Sequence, residues 1–175
     1  MLANEGKVNR ENRVKKGKSM PKKSTQAAKL YTFEVSLISG PLSEQFIETN
    51  PVVSRTIAIR GDQTFENFHQ AIFEAFNRED PHMFEFQIGG KGPQDPNAKC
   101  YVSEVGNAEA AGHVGDTRID AVGLGEKMAF GYWFDYGDDW WHQVSVLSMT
   151  EPIPKGRYPK ITKRTGASPP QYPDE

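Results

Sequence analysis

The 175-residue sequence contains a single cysteine, Cys100, and no long hydrophobic run. One thiol cannot form a disulfide within the chain, and it cannot build a cysteine-rich zinc site. A transmembrane helix needs about 20 predominantly apolar residues, so we expect no membrane association. The basic N-terminus also lacks the apolar segment of a secretory signal. Together these absences predict a cytoplasmic protein.

Charge is distributed unevenly along the chain. Residues 1–29 hold nine basic and two acidic residues, residues 30–151 hold seven basic and nineteen acidic residues, and residues 152–175 hold five basic and two acidic residues. The sequence therefore consists of an acidic body between two basic arms. A uniformly basic nucleic-acid-binding protein is excluded. The basic segments 10–23 and 155–164 could still contact nucleic acid non-specifically through phosphates.

Composition divides the chain into three parts. Residues 1–29 have no aromatic side chain and few aliphatic ones, so we predict a disordered basic tail. Residues 30–150 are long enough for one hydrophobic core and are predicted to form a single domain. Residues 151–175 carry six of the twelve prolines and are predicted to form an extended C-terminal tail.

Hydrophobic periodicity predicts the elements of the central domain. One helix is expected to begin at the capping residue Thr64, because five apolar residues recur at helical spacing after it: Phe65, Phe68, Ile72, Phe73 and Phe76. A second, short helix is expected at 116–122. Alternation of apolar and polar residues predicts strands at the following positions: 31–37, 53–59, 83–88, 100–102, 128–134 and 140–146.

This order, β-β-α-β-(β)-α-β-β, contains more strands than helices, and its clearest connection is a hairpin between the last two strands. We therefore predict an α+β roll. Its sheet is expected to be mixed but mainly antiparallel, with the core helix on one face.

The turn of the predicted hairpin concentrates acidic, aromatic and imidazole groups. These residues form the candidate binding or functional site: Asp135, Tyr136, Gly137, Asp138, Asp139, Trp140 and His142. Carboxylates beside an imidazole could bind a divalent metal or act as acid–base groups. However, Asp and Gly are also the residues that a tight turn requires, because Asp side chains accept hydrogen bonds from nearby backbone N–H groups. Both interpretations stay open at this point.

Two further histidines could approach the hairpin across the sheet. A set of His69, His82, Asp135 and His142 would suit zinc or iron, so a divalent metal is a candidate cofactor. Alternatively, His69 is a partly buried residue with an ordinary hydrogen bond. No other cofactor is indicated, because the sequence after Lys91 does not fit a phosphate-binding loop.

The segment Phe134-Asp135-Tyr136-Gly137-Asp138-Asp139-Trp140-Trp141-His142 resembles the Tyr-Asp-Phe-Gly-Asp-x-Trp-x-His signature of the plasmid pRiA ORF-three-like family. Phe68-His69, Tyr158-Pro159 and Pro169-Pro170 are similar to further elements of that family. The resemblance covers roughly residues 30–170 and implies an α+β roll with a history linked to plasmids or mobile elements. It implies no known reaction. Many members carry cysteines near the C-terminal proline motifs, whereas this chain has none there.

Three hypotheses about function follow. The first is a non-enzymatic binding or adaptor domain that recognises an unknown protein partner through the aromatic and acidic hairpin. The second is a metal-dependent hydrolase or nuclease that uses the Asp and His residues of the hairpin. The third is a nucleic-acid-associated protein that acts through its basic tails. We favour the first, because the sequence contains no complete catalytic set.

Overall fold

A computed structural model describes residues 27–173 of the chain. It contains two α-helices, α1 (Glu44–Thr49) and α2 (Phe65–Ala75), and a short 3-10 helix at Ile119–Ala121. The strands are β1 (Leu30–Ser39), β2 (Ser54–Arg60), β3 (Phe84–Ile88), β4 (Lys99–Val102), β5 (Gly112–His113), β6 (Ala129–Phe134), β7 (Trp140–Thr150) and β8 (Lys160–Thr165). Within residues 27–173, no helix is long and apolar enough to cross a membrane.

All eight strands belong to one sheet with the order β5-β4-β3-β6-β7-β1-β2-β8. Neighbouring strands are antiparallel except for the short parallel pair β4 and β5. The predicted α+β class, with a mixed and mainly antiparallel sheet, is therefore confirmed. The predicted β6–β7 hairpin is present, and in it Phe134 pairs with Trp140 and Tyr132 pairs with His142.

Helix α2 packs on one face of the sheet and forms the core. Thr64 caps it, accepting from the Asn67 backbone N–H while the Asn67 side chain accepts from the Thr64 backbone. Phe65 and Phe68 are fully buried, and the Phe68 ring lies 4.7 Å from Phe33 of β1 and 5.6 Å from Phe86 of β3. Burial of each such ring contributes roughly 1.5–3 kcal/mol to the stability of the fold. Helix α2 is therefore the core helix that the sequence predicts.

The two faces of the sheet carry different side chains of the hairpin. Because side chains alternate along a strand, every second residue of β6 and β7 points toward α2, as Tyr132, Trp140 and His142 do. The intervening residues, Trp133 and Trp141, lie on the opposite face. We call that second face the outer face.

Four local features differ from the sequence predictions. Helix α1 lies between the first two predicted strands, where no element is predicted. It buries no residue fully, so its sequence has no clear apolar periodicity. The predicted helix at 116–122 is only a 3-10 turn, and the two-residue strand β5 lies in a glycine-rich loop. Strand β8 lies within the predicted C-terminal tail. It is a largely exposed edge strand, and an edge strand does not need alternating apolar residues.

Of the predicted disordered tail, residues 1–26 lie outside the described part of the chain.

Candidate functional site

The hairpin turn between β6 and β7 is held by its aspartates. Asp135 and Asp139 both adopt positive φ, 56° and 55°. The buried Asp135 carboxylate accepts hydrogen bonds from the backbone N–H groups of Gly137 at 3.1 Å and Asp138 at 3.4 Å. Asp and Asn tolerate this backbone region better than most residues, since their short side chains bond locally. Asp135 therefore has a structural role in the turn.

Asp135 also contacts His82, which is another of the predicted metal ligands. The Nε2 atom of His82 lies 3.3 Å from Asp135 Oδ2 and 3.0 Å from the hydroxyl of Tyr172. His82 is partly exposed beside an open depression that includes Pro81 and Tyr136. The pair ties the β6–β7 turn to the segment before β3 and to the C-terminal segment.

His69 does not join this pair. Its Nδ1 atom lies 2.8 Å from the hydroxyl of Tyr132, and its ring stacks on Phe84 with a centroid distance of 3.5 Å. Burial lowers the pKa of His69 to about 3, because the core disfavours the charged imidazolium. His69 is thus a neutral, hydrogen-bonded core residue.

His142 is also separate from the other predicted ligands. It is 1% exposed, its ring lies 5.0 Å from Phe76, and neither ring nitrogen has a hydrogen-bond partner among residues 27–173. Burial and then the positive charge of Arg78 lower its pKa to about 3. The polar backbone groups of Tyr132 and Trp140 raise the pKa of His142 by a smaller amount.

Arg78 is a buried residue at this site that the sequence analysis missed. Its guanidinium lies 3.6 Å from the centre of the Trp140 ring, and its two terminal nitrogens have no hydrogen-bond partner in the described chain. Burial lowers the pKa of Arg78 to about 10, and the nearby Asp135 carboxylate opposes that shift. No periodicity signals this position, because Arg78 follows the end of α2 in an irregular segment.

The four predicted metal ligands are therefore not assembled. Only His82 and Asp135 are in contact, whereas His69 and His142 each occupy a separate core position. In the part of the chain from residue 27 to residue 173, no three His, Cys, Asp or Glu side chains are arranged to hold a metal ion.

The outer face of the hairpin carries a stack of three aromatic rings. Trp133 of β6 and Trp141 of β7 are cross-strand partners whose rings lie 4.7 Å apart and nearly parallel, with an interplanar angle of 10°. Tyr136 of the turn lies 4.2 Å from Trp133 on a tilted plane. Trp133 and Tyr136 are half-buried and Trp141 is only 9% exposed, so Trp133 and Tyr136 provide the accessible ring surface of the stack.

Carboxylates flank this aromatic stack. Asp139 Oδ1 accepts from the Trp133 indole N–H at 3.0 Å, and Glu85 Oε2 accepts from the Tyr136 hydroxyl at 3.4 Å. Burial, followed by the Glu85 charge, raises the pKa of Tyr136 above its ordinary value. The same two causes raise the pKa of Cys100, whose thiol lies 3.6 Å from Glu85 Oε1. The Cys100 thiol is therefore poorly suited to nucleophilic chemistry.

Of the predicted hairpin residues, Tyr136 and Asp139 thus belong to this outer surface. Trp140 and His142 lie inside the domain. Alternation along β7 predicts that Trp140 and His142 share one face, but it does not place the turn residues Tyr136 and Asp139, and it does not reveal that Glu85 from β3 joins the hairpin.

Comparison with known proteins supports the fold and defines the family. A protein of unknown function, MM3350 from Methanosarcina mazei Go1, has a similar structure, with a TM-score of 0.62 and 20% sequence identity over 82% of this chain and 72% of that one. At this identity the similarity concerns the fold alone. No curated protein matches the sequence. The sequence profile described as plasmid pRiA4b ORF-3-like protein matches residues 42–172. The chain therefore belongs to the plasmid pRiA4b ORF-3-like family.

Proposed function

We propose that this protein is a non-enzymatic binding domain that recognises a cationic segment of a protein partner. The binding surface is the outer face of the hairpin, defined by Tyr136, Trp133, Trp141, Glu85 and Asp139. The observation that carries the proposal is the stack of three aromatic rings flanked by two carboxylates.

The chemistry of this surface matches lysine and arginine side chains. A cation over the face of a tryptophan or tyrosine gains about 0.5–1 kcal/mol when exposed and about 2 kcal/mol when desolvated. Glu85 and Asp139 add an opposite charge at the rim of the stack. The wider field has the same sign, since residues 30–151 hold nineteen acidic and only seven basic residues.

The low pKa values of the two core histidines favour a binding function over a catalytic one. His69 and His142 would be the natural acid–base groups at neutral pH, but both are buried and have a pKa of about 3. A group with so low a pKa is a weak base and carries no proton to donate at pH 7. The aromatic stack, in contrast, requires no change in protonation to bind a cation.

A fluorescence anisotropy titration of the full chain with a labelled arginine-rich peptide tests the proposal. We expect saturable binding that Trp133→Leu weakens at least five-fold, because the central ring of the stack is lost. Glu85→Gln combined with Asp139→Asn is expected to weaken binding further and to reduce its dependence on salt.

Two matched variants control for general effects. Tyr172→Leu removes an exposed aromatic ring near His82, and Glu48→Gln combined with Asp116→Asn removes two exposed carboxylates elsewhere. Both should bind the peptide like the natural protein. Equal losses in the hairpin and control variants would mean that net charge alone attracts the peptide, and the proposal would then be wrong.

A further inference from the structure

A second surface of opposite charge lies at the other side of the sheet. A cleft of about 640 Å³ opens between α2 and the segment that leads into β8. We call it the basic cleft; its polar and charged lining consists of Glu74, Lys155, Arg157, Tyr158, Lys160 and Arg164. The four basic side chains are exposed, whereas Tyr158 is half-buried.

The positive charge of the basic cleft is not neutralised by the described part of the chain. The ion pairs found among residues 27–173 involve other side chains, and none includes Lys155, Arg157, Lys160 or Arg164. No acidic residue occurs between positions 152 and 173. Glu74 supplies the single carboxylate of the lining, and its Oε1 atom accepts from the Gln70 side chain at 3.3 Å.

The walls of the cleft are anchored. Gln63 Nε2 donates to the backbone carbonyl of Tyr158 at 2.8 Å, and the Tyr158 hydroxyl donates to the carbonyl of Pro154 at 3.1 Å. Strand β8 pairs with β2, where Arg164 lies opposite Arg55. Arg55 is only 1% exposed and donates to the carbonyl of Thr165 at 2.7 Å, so a buried cation reinforces the positive field under the edge strand.

We propose that the basic cleft binds the phosphate backbone of single-stranded nucleic acid. Lys160 and Arg164 are four residues apart on β8, whose pairing with β2 is irregular between Ile161 and Lys163, so their Cα atoms lie at most roughly 13 Å apart at about 3.3 Å per residue. Together with Lys155 and Arg157 they spread positive charge along the segment, and such a spread can follow the successive phosphates of one strand. The half-buried ring of Tyr158 lies among the cations, where it provides a platform for stacking a base.

The size of the cleft favours a single strand over a duplex. A volume of about 640 Å³ is typical of pockets for small ligands and is suited to an unpaired nucleotide. The basic cleft is separate from the proposed hairpin site, so this inference does not depend on that site. It lies on the α2 side of the sheet, and three strands, β7, β1 and β2, separate β8 from β6.

A salt-titrated binding assay with the full chain and a fluorescein-labelled oligothymidylate tests the inference. The variant Lys155→Gln, Arg157→Gln, Lys160→Gln, Arg164→Gln should bind at least ten-fold more weakly at moderate salt. The slope of log K against log salt should also become shallower by about 2–3, since each lost phosphate contact on a single strand removes about 0.7. Tyr158→Leu should weaken binding of the oligonucleotide but leave binding of inorganic tripolyphosphate unchanged.

The matched control is Lys91→Gln, Lys99→Gln, Lys127→Gln, Lys163→Gln, which removes the same charge outside the cleft lining. All of these variants keep the basic residues 1–29, so any contribution from that segment cancels. Binding lost only in the cleft variant supports the inference. Equal losses in both variants, unchanged binding in both, or binding of tripolyphosphate without the oligonucleotide would each overturn it. Unchanged binding would leave the basic residues of β8 with the role of protecting a sheet edge from aggregation.

Discussion

Two buried histidines couple the stability of the domain to pH. His69 and His142 have pKa values of about 3 in the folded protein, whereas an unfolded histidine has a pKa of about 6.5. Between these values the unfolded chain binds more protons, so the free energy of unfolding falls as the pH is lowered from about 6.5 toward 3. Within that window each histidine contributes about 1.4 kcal/mol per pH unit.

We therefore predict that His142→Phe makes the acid-dependent loss of stability shallower. Urea unfolding at several pH values between about 7 and 4.5 measures how steeply the free energy of unfolding depends on pH. In the variant this slope should be smaller by the contribution of about one proton. Phe130→Leu, a change at a similarly buried residue without an ionisable group, serves as the control and should keep the natural slope. An unchanged slope in His142→Phe would contradict a neutral, buried His142.

At the residue scale, the burial of Arg78 could not be predicted from the sequence. The alternation of β6 and β7 correctly predicts that Trp140 and His142 share one face, because residues two apart point the same way in a strand. The burial of Arg78 against Trp140 depends on how the chain turns after α2, and local sequence carries no signal for it. For the same reason, spacing could not decide whether the four predicted metal ligands converge.

At the scale of elements, Arg55 joins the C-terminal segment to the core. Its guanidinium donates to the carbonyls of Ala75 at the end of α2, Thr165 at the end of β8 and Ser54 of β2. It also donates to the Ser168 hydroxyl at 3.0 Å. One side chain therefore connects β2, α2 and the segment that follows β8.

We predict that Arg55→Met lowers the free energy of unfolding by about 3 kcal/mol, because several buried carbonyl groups lose their donor. Hydrogen exchange should accelerate most in β8. Arg60→Met is the matched control, since Arg60 forms an ion pair with Asp62 at 2.7 Å that is exposed to solvent and therefore contributes little to stability. If exchange in β8 were no faster in Arg55→Met than in the control, Arg55 would not hold this strand in place.

The elements that sequence predicts well are those with one buried face. Strands β1, β2, β3, β6 and β7 and helix α2 all display the periodicity of apolar residues that packing on a core requires. Helix α1 and strand β8 lack it, because α1 buries no residue fully and β8 is held at an edge by backbone pairing and by Arg55. Their positions follow from tertiary contacts that a local pattern does not contain.

At the scale of the whole molecule, the C-terminal basic arm adds a strand to the sheet of the acidic body. The arm contributes β8 and one wall of the basic cleft instead of extending freely. Four strand spacings of about 4.8 Å place β8 roughly 19 Å from β6 across the sheet. The proposed cation-binding hairpin and the proposed phosphate-binding cleft are therefore separate surfaces of opposite charge on opposite faces.

The three tryptophans provide a direct test of the central claim that the outer face of the hairpin binds cationic segments. Trp133 and Trp141 lie in the outer stack, whereas Trp140 is completely buried on the other face. Each indole N–H gives its own nuclear magnetic resonance signal, which Trp→Phe variants can assign. The measurement follows these three signals while an arginine-rich peptide is added to the full chain. We predict that the signals of Trp133 and Trp141 shift in a saturable manner while that of Trp140 stays in place. Stationary Trp133 and Trp141 signals under conditions where the peptide binds would contradict the account.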